Sequence, residues 1–242
     1  MTRSSPTPEP IVGRSPWTPS RGGVRLPVWA WIALWHVLGI GGSVALHYRL
    51  HGAVNAWHVA LASFLVTNLL IGVWEIALYF RIGDLERAWA EKNIFKDPSD
   101  LFAIRASPRE AMSTRLWSLI WLAYCRFDPS SADRKSFGFT IDVGNGFVTP
   151  VPTALFLVGM STPILSPTVL GLMGIVLFYQ KAYGTVLYFF QFLFNRRYVG
   201  HGRWELLGYV GFTNALWIVF PALGFVISVR LILERSFAFL WN

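Results

Sequence analysis

Charge is what this sequence has least of. Only 14% of its 242 residues are Asp, Glu, Lys or Arg, against about a quarter in an ordinary soluble domain. Cysteine is scarcer still. A single residue, Cys125, excludes an intrachain disulfide framework and leaves no CxxC pair for a structural zinc. No internal repeat is visible, which counts against a transporter built from inverted repeats. No short apolar run with a small-residue cleavage site precedes Val28, so no cleaved signal peptide is expected.

What the chain has instead is apolar surface: 54% of residues are hydrophobic and the mean hydropathy is +0.45. These values predict an all-α integral membrane protein. Residues 1–27 are rich in Ser, Pro, Gly and Arg without a periodic apolar face, and are expected to be a disordered tail. Residues 28–242 are expected to form a bundle of five transmembrane helices, over about 28–46, 57–80, 137–164, 167–194 and 206–233. Each is long enough, at about 1.5 Å per residue, to cross roughly 30 Å of hydrocarbon. Pro150 and Pro152 should kink the third.

Basic residues support this count. The N-terminal tail, the loop from 81 to 136 and the segment "NRRYVGHGRWE" hold seventeen of the twenty-one Lys and Arg residues. Those three segments fall on one side of a five-span topology, which predicts a cytoplasmic N-terminus. The host membrane is then the endoplasmic reticulum in a eukaryote or the inner membrane in a bacterium. The net charge of +8 needs no nucleic-acid partner, because membrane topology accounts for it.

Within the long loop, "DLERAWAEKNIFKDPSD" is expected to be a charged, solvated helix ending near Asp97-Pro98. The stretch "STRLWSLIWLAYCRF" is too short to span. It is expected to be an interfacial helix with Trp117, Trp121 and Tyr124 at the headgroup level.

Polar residues inside apolar spans carry the functional signal, since a carboxylate in hydrocarbon costs several kcal/mol unless paired, protonated or facing water. Glu75 and Asp142 each lie about five residues, or roughly 7 Å, from the same end of the second and third spans. Because those spans run in opposite directions, the two carboxyls share one depth and resemble an acid/base pair holding one proton. Two simpler roles stay open: Glu75 paired with Arg81 or Arg87, and Asp142 as a helix cap. Asn68 shares the face of Glu75. Asn145 follows Asp142 between Gly144 and Gly146, small residues that admit a neighbouring helix or a flat ligand. The fourth span adds Lys181 and Tyr183, the lysine either a counter-ion or a snorkelling chain. The fifth adds Asn214 and Trp217, three residues apart on one helical face.

The stretches "YGTVLYF" and "FTNALWIVFP", with "ADRKSFGFTIDVGNG" before the third span, resemble the emopamil-binding protein family, the sterol double-bond isomerases of the EXPERA group. The resemblance implies a five-helix bundle that protonates a ring alkene, stabilises a carbocation and removes a proton elsewhere, without a cofactor or a metal. It gives Asn214 and Trp217 the roles of pocket asparagine and cation-stabilising tryptophan. At the family's third- and fourth-span acids this chain departs from the pattern, with Gly144 and Thr185, and the expected catalytic pair is Glu75 and Asp142, read from their place in the spans. Asn68, Asn145, Lys181 and Tyr183 are expected to bind substrate beside Asn214 and Trp217.

The function expected is a membrane isomerase or cyclase, with a non-catalytic sterol or lipid binder and a structural or transport protein as alternatives. Its partners would be a hydrophobic polycyclic or isoprenoid lipid, the surrounding membrane lipids and a second copy of the chain in a homodimer, with no nucleic acid.

Overall fold

The computed structural model describes residues 23–92, 95 and 97–242, and these are almost wholly helical. Most of the expected tail, residues 1–22, lies outside the described residues. Its last residues form β1 (Leu26–Pro27) and lead into α1 (Val28–His51), then α2 (Ala56–Ala90) and the short α3 (Asp100–Ala103). The two-residue strand β2 (Arg105–Ala106) pairs antiparallel with β1. Next come α4 (Pro108–Ala111), α5 (Thr114–Tyr124), α6 (Phe137–Val148), α7 (Pro150–Gly159) and α8 (Pro167–Phe194). A turn of helix, α9 (Arg203–Glu205), runs through a π-helical stretch, Leu206–Phe212, into α10 (Thr213–Glu234), and α11 (Ala238–Trp241) ends the chain.

Four of these helical segments are long and apolar enough to cross a membrane, and a fifth span results if the bent pair α6 and α7 is counted as one. The bend is 45°, at Thr149, just before Pro150. Pro150 cannot donate to the preceding turn, which accounts for the break. Large apolar side chains on the outer faces, among them Val176, Phe190, Val219 and Leu233, are more than half exposed. Such faces suit lipid tails as solvent.

Local chemistry sets the helix ends. The Asn55 side chain accepts from the backbone N–H groups of Trp57 and His58 at 2.9 and 3.2 Å and starts α2. Ser166 caps α8 ahead of Pro167, a residue suited to the first helical position. Gly52, at φ 71°, closes α1 by donating to the Tyr48 carbonyl.

Two expectations for the 81–136 region are corrected. The charged stretch after Phe80 is no separate helix; α2 continues unbroken to Ala90. Leu85 and Ala88 stay buried while Arg81 and Arg87 flank Asp84 on the outer face at 3.5 and 3.2 Å. Helix α5 is short, as expected, but its aromatics turn inward. Trp117 and Trp121 are buried, and their indole N–H groups donate to the carbonyls of Ala111 and Trp74 at 2.8 and 2.7 Å. A buried indole N–H usually finds such an acceptor, and the backbone supplies it to both of these.

Helices α8 and α10 pack along much of their length. A Cβ on Gly224 would sit 2.5 Å from the Phe178 ring, so their closest approach depends on glycine. At the far end from α5, His47, His58 and His51 gather on Ser161. The first two reach its hydroxyl at 3.2 and 2.9 Å and the third its carbonyl at 2.8 Å. His51 also stacks on Trp241, which ties α11 to α1.

Cys125, at the end of α5, has no exposed surface, and burial pushes its thiol up to about 12. The thiolate is the reactive form, so the native protein should resist iodoacetamide from about pH 7 to about pH 9. Labelling should become complete only after unfolding in detergent, as intact mass will report.

Candidate functional site

On α6 the N-cap is Ser136, whose hydroxyl accepts from the Phe139 N–H at 3.0 Å and donates to the Ser130 carbonyl at 2.8 Å. Asp142 therefore lies well inside the helix and has no capping role. Gly146 follows it at i+4 on the same face, and there α6 meets α2 most closely. A Cβ built on Gly146 would lie 2.7 Å from the Glu75 Cβ and 3.0 Å from the Glu75 carbonyl carbon. The glycine thus brings the helix bearing Asp142 against the backbone at Glu75. Gly144 has nothing within 4 Å and plays no such part.

Beside this crossing lies a cavity of about 460 Å³, lined from α2, α5, α6, α8 and α10. Glu75, Asp142, Asn145, Lys181, Asn214 and Trp217 all line it. So do Trp74, Trp121, Tyr124 and Tyr188, which give the wall a substantial aromatic part. The volume falls in the range of small-ligand sites.

The polar groups divide into those held by the protein and those left open. Lys181 is only 5% exposed, and its ammonium donates to the Thr149 hydroxyl at 3.1 Å. That hydroxyl donates to the Asn145 carbonyl at 2.9 Å, while the Asn145 side chain accepts from Gln180 at 2.8 Å. The bend at Thr149 is thereby tied to the middle of α8. Asn214 donates to the Val210 carbonyl at 2.8 Å, within the π-helical stretch. Its side-chain oxygen accepts no hydrogen bond from any described residue. π-Helical turns recur at functional sites, and this one carries the cavity residue Tyr209.

Glu75 is 4% exposed, and its Oε2 has no partner among the described residues. Arg81 and Arg87 pair with Asp84, so neither serves Glu75. Glu75, Asp142 and Lys181 interact electrostatically with one another, yet no ion pair within 4.0 Å joins them. The Tyr124 phenol is held well above its ordinary range, by burial first and then by Tyr188, and remains a neutral donor. Among the described residues no group of three or more His, Cys, Asp or Glu is placed to hold a metal ion.

Two expected substrate-binding residues stand elsewhere. Asn68 is buried behind the wall, accepting from the Trp217 indole at 3.3 Å and donating to the Phe64 carbonyl at 2.9 Å. It orients Trp217 and does not line the cavity. Tyr183 faces outward, about half exposed and stacked on Tyr179 at 5.6 Å. Asp128, which sequence reasoning passed over, lines the cavity, is ion-paired with Arg197 and caps the turn at Ser130. Its signal was an Asp-Pro pair followed by two serines, a turn motif with no periodicity.

No family model matches this chain, and no curated protein matches it.

Gly146→Ala should destabilise the protein by about 1–3 kcal/mol, because the new methyl meets backbone that cannot turn aside. Gly144→Ala, into open space, should shift stability by less than about 1 kcal/mol. Thermal unfolding in detergent compares the two. Equal melting temperatures would contradict the close crossing.

Proposed function

We propose that this is a five-span membrane protein with a cytoplasmic N-terminus that isomerises or cyclises a sterol-like or isoprenoid lipid without a cofactor. The endoplasmic reticulum or a bacterial inner membrane would be its site. One observation carries the reading: two carboxyls without ion-pair partners line the same aromatic-walled cavity as Asn145, Asn214 and Trp217. The likeness of the last two spans to the emopamil-binding proteins supports the ligand class. Thr185, at the position of that family's fourth-span acid, lines the cavity as well.

In this reading one carboxyl of the Glu75 and Asp142 pair delivers a proton to an alkene carbon and the other removes one from a neighbouring carbon. The ring of Trp217, held by Asn68, faces the intermediate cation, and the low-dielectric wall strengthens that attraction. Net charge and atoms are conserved, so no redox partner is required. A second reading, a lipid carrier without catalysis, draws on Lys181. An amine that lines the same cavity as two carboxyls also suits the grip of a lipid's polar end.

Lipids extracted after incubation with the wild type, Glu75→Gln and Asp142→Asn separate these readings. Isomerase or cyclase action predicts that each variant lowers product formation by about 10²-fold or more. Unchanged products in both variants would sink the catalytic assignment and leave the carrier.

A further inference from the structure

Lys181 is the least explained group in the cavity. The chain uses arginine almost everywhere for positive charge, with seventeen Arg to four Lys, and Lys181 alone of those lysines lies within an apolar span. An ammonium carries three donors, but the Lys181 Nζ uses one, on Thr149. No carboxylate among the described residues lies within ion-pair distance to take the others. The rest of the side chain is enclosed at the wall of an apolar, aromatic cavity. A buried lysine with unfilled donor positions, facing a ligand-sized space, has the setting of an amine nucleophile.

We propose that Lys181 captures the carbonyl group of a lipophilic ketone or aldehyde as an imine, and that the substrate is a β,γ-unsaturated carbonyl lipid of steroid-like size. The inference rests on the isomerase reading above, keeps its carboxyls as the proton carriers and specifies its substrate class. The positive charge then sits on the imine nitrogen in place of a ring carbon, and proton removal comes first. The proton that the ammonium must surrender passes through a water to Glu75 or Asp142, the carboxyls that share its cavity. The freed lone pair forms the C–N bond. The carbonyl oxygen then leaves as water, taking one hydrogen from the nitrogen and that same proton back from the carboxyl. The product is a protonated imine, with the two carboxylates as its counter-ions.

An iminium acidifies the carbon between itself and the alkene. A carboxylate takes a proton from that carbon, the electrons move to nitrogen, and a neutral dienamine forms. The carboxyl returns the proton to the far alkene carbon, which leaves the double bond conjugated with the iminium. Water hydrolyses the imine and restores lysine and a conjugated carbonyl lipid. Nothing is oxidised or reduced, and one amine and two carboxyls supply every proton transfer.

The test uses the full chain purified in detergent, a β,γ-unsaturated 3-ketosteroid as probe, and sodium cyanoborohydride to reduce any imine to a stable amine. Peptide mapping should find one adduct per chain, on Lys181, and none on Lys92, Lys96 or Lys135. Lys181→Arg keeps the charge but cannot form the imine, and should lose the adduct. An adduct spread over the other lysines, or equally abundant in Lys181→Arg, would overturn the proposal. Should that variant fail to fold, the wild-type map alone decides. Melting temperature with the matching 3-hydroxysteroid, which has no carbonyl, separates this idea from its foundation. Stabilisation without any ketone adduct would reject the imine and leave the lipid isomerase standing. No stabilisation and no adduct would reject both.

Discussion

The contact between Gly146 and the backbone at Glu75 is the constraint on which the site depends. A helix carrying an aspartate can be pressed against one carrying a glutamate only where no side chain intervenes, and here the intervening position is a glycine. The crossing sets Glu75 level with Gly146, one helical turn along α6 from Asp142, and both carboxyl residues line the cavity beside it. It also places the break before Pro150 against Gly72, where a Cβ would fall 2.9 Å from the proline ring. The bend between α6 and α7 is therefore part of how the two helices fit α2.

Around that crossing the structure satisfies most polar groups and leaves a few open. Gln180, Asn145, Thr149 and Lys181 form one chain of hydrogen bonds linking α6, the bend and α8. Asn68 fixes the Trp217 indole, and Asp128 holds Arg197. At the cavity the Glu75 Oε2 and the Trp74 indole nitrogen are both left without a hydrogen-bond partner among the described residues, where buried polar atoms are nearly always bonded. An unsatisfied group at a cavity wall is the expected mark of a site whose partner is a ligand.

Much of this was legible in the sequence. The fourth span was expected at 167–194 and runs Pro167–Phe194, because Ser166-Pro167 is a chemical start signal in front of a long apolar run. Glu75 and Asp142 were placed together from their positions near corresponding ends of two oppositely running apolar stretches, and both line one cavity. The extension of α2 to Ala90 was obscured by its charges, although Leu85 and Ala88 continue a buried stripe at helical spacing. The aromatics of α5 were misplaced because composition does not distinguish a tryptophan at a headgroup from one packed on α2. The acceptor makes that distinction, and it is the Trp74 carbonyl. Tyr183 lies two residues, or about 200°, around the helix from Lys181, so a lysine facing inward turns that tyrosine outward.

The central claim is that the space beside Glu75 and Asp142 holds an apolar lipid. Gly184 lines that space and a Cβ there meets nothing within 4 Å, so Gly184→Trp should fill it without disturbing the helices. The direct measurement is mass spectrometry of the lipids that copurify with the wild type and with Gly184→Trp from the same membranes. The account predicts a polycyclic or isoprenoid lipid enriched with the wild type and lost from the variant, both proteins melting alike. The same lipids in the same amounts on both would contradict it.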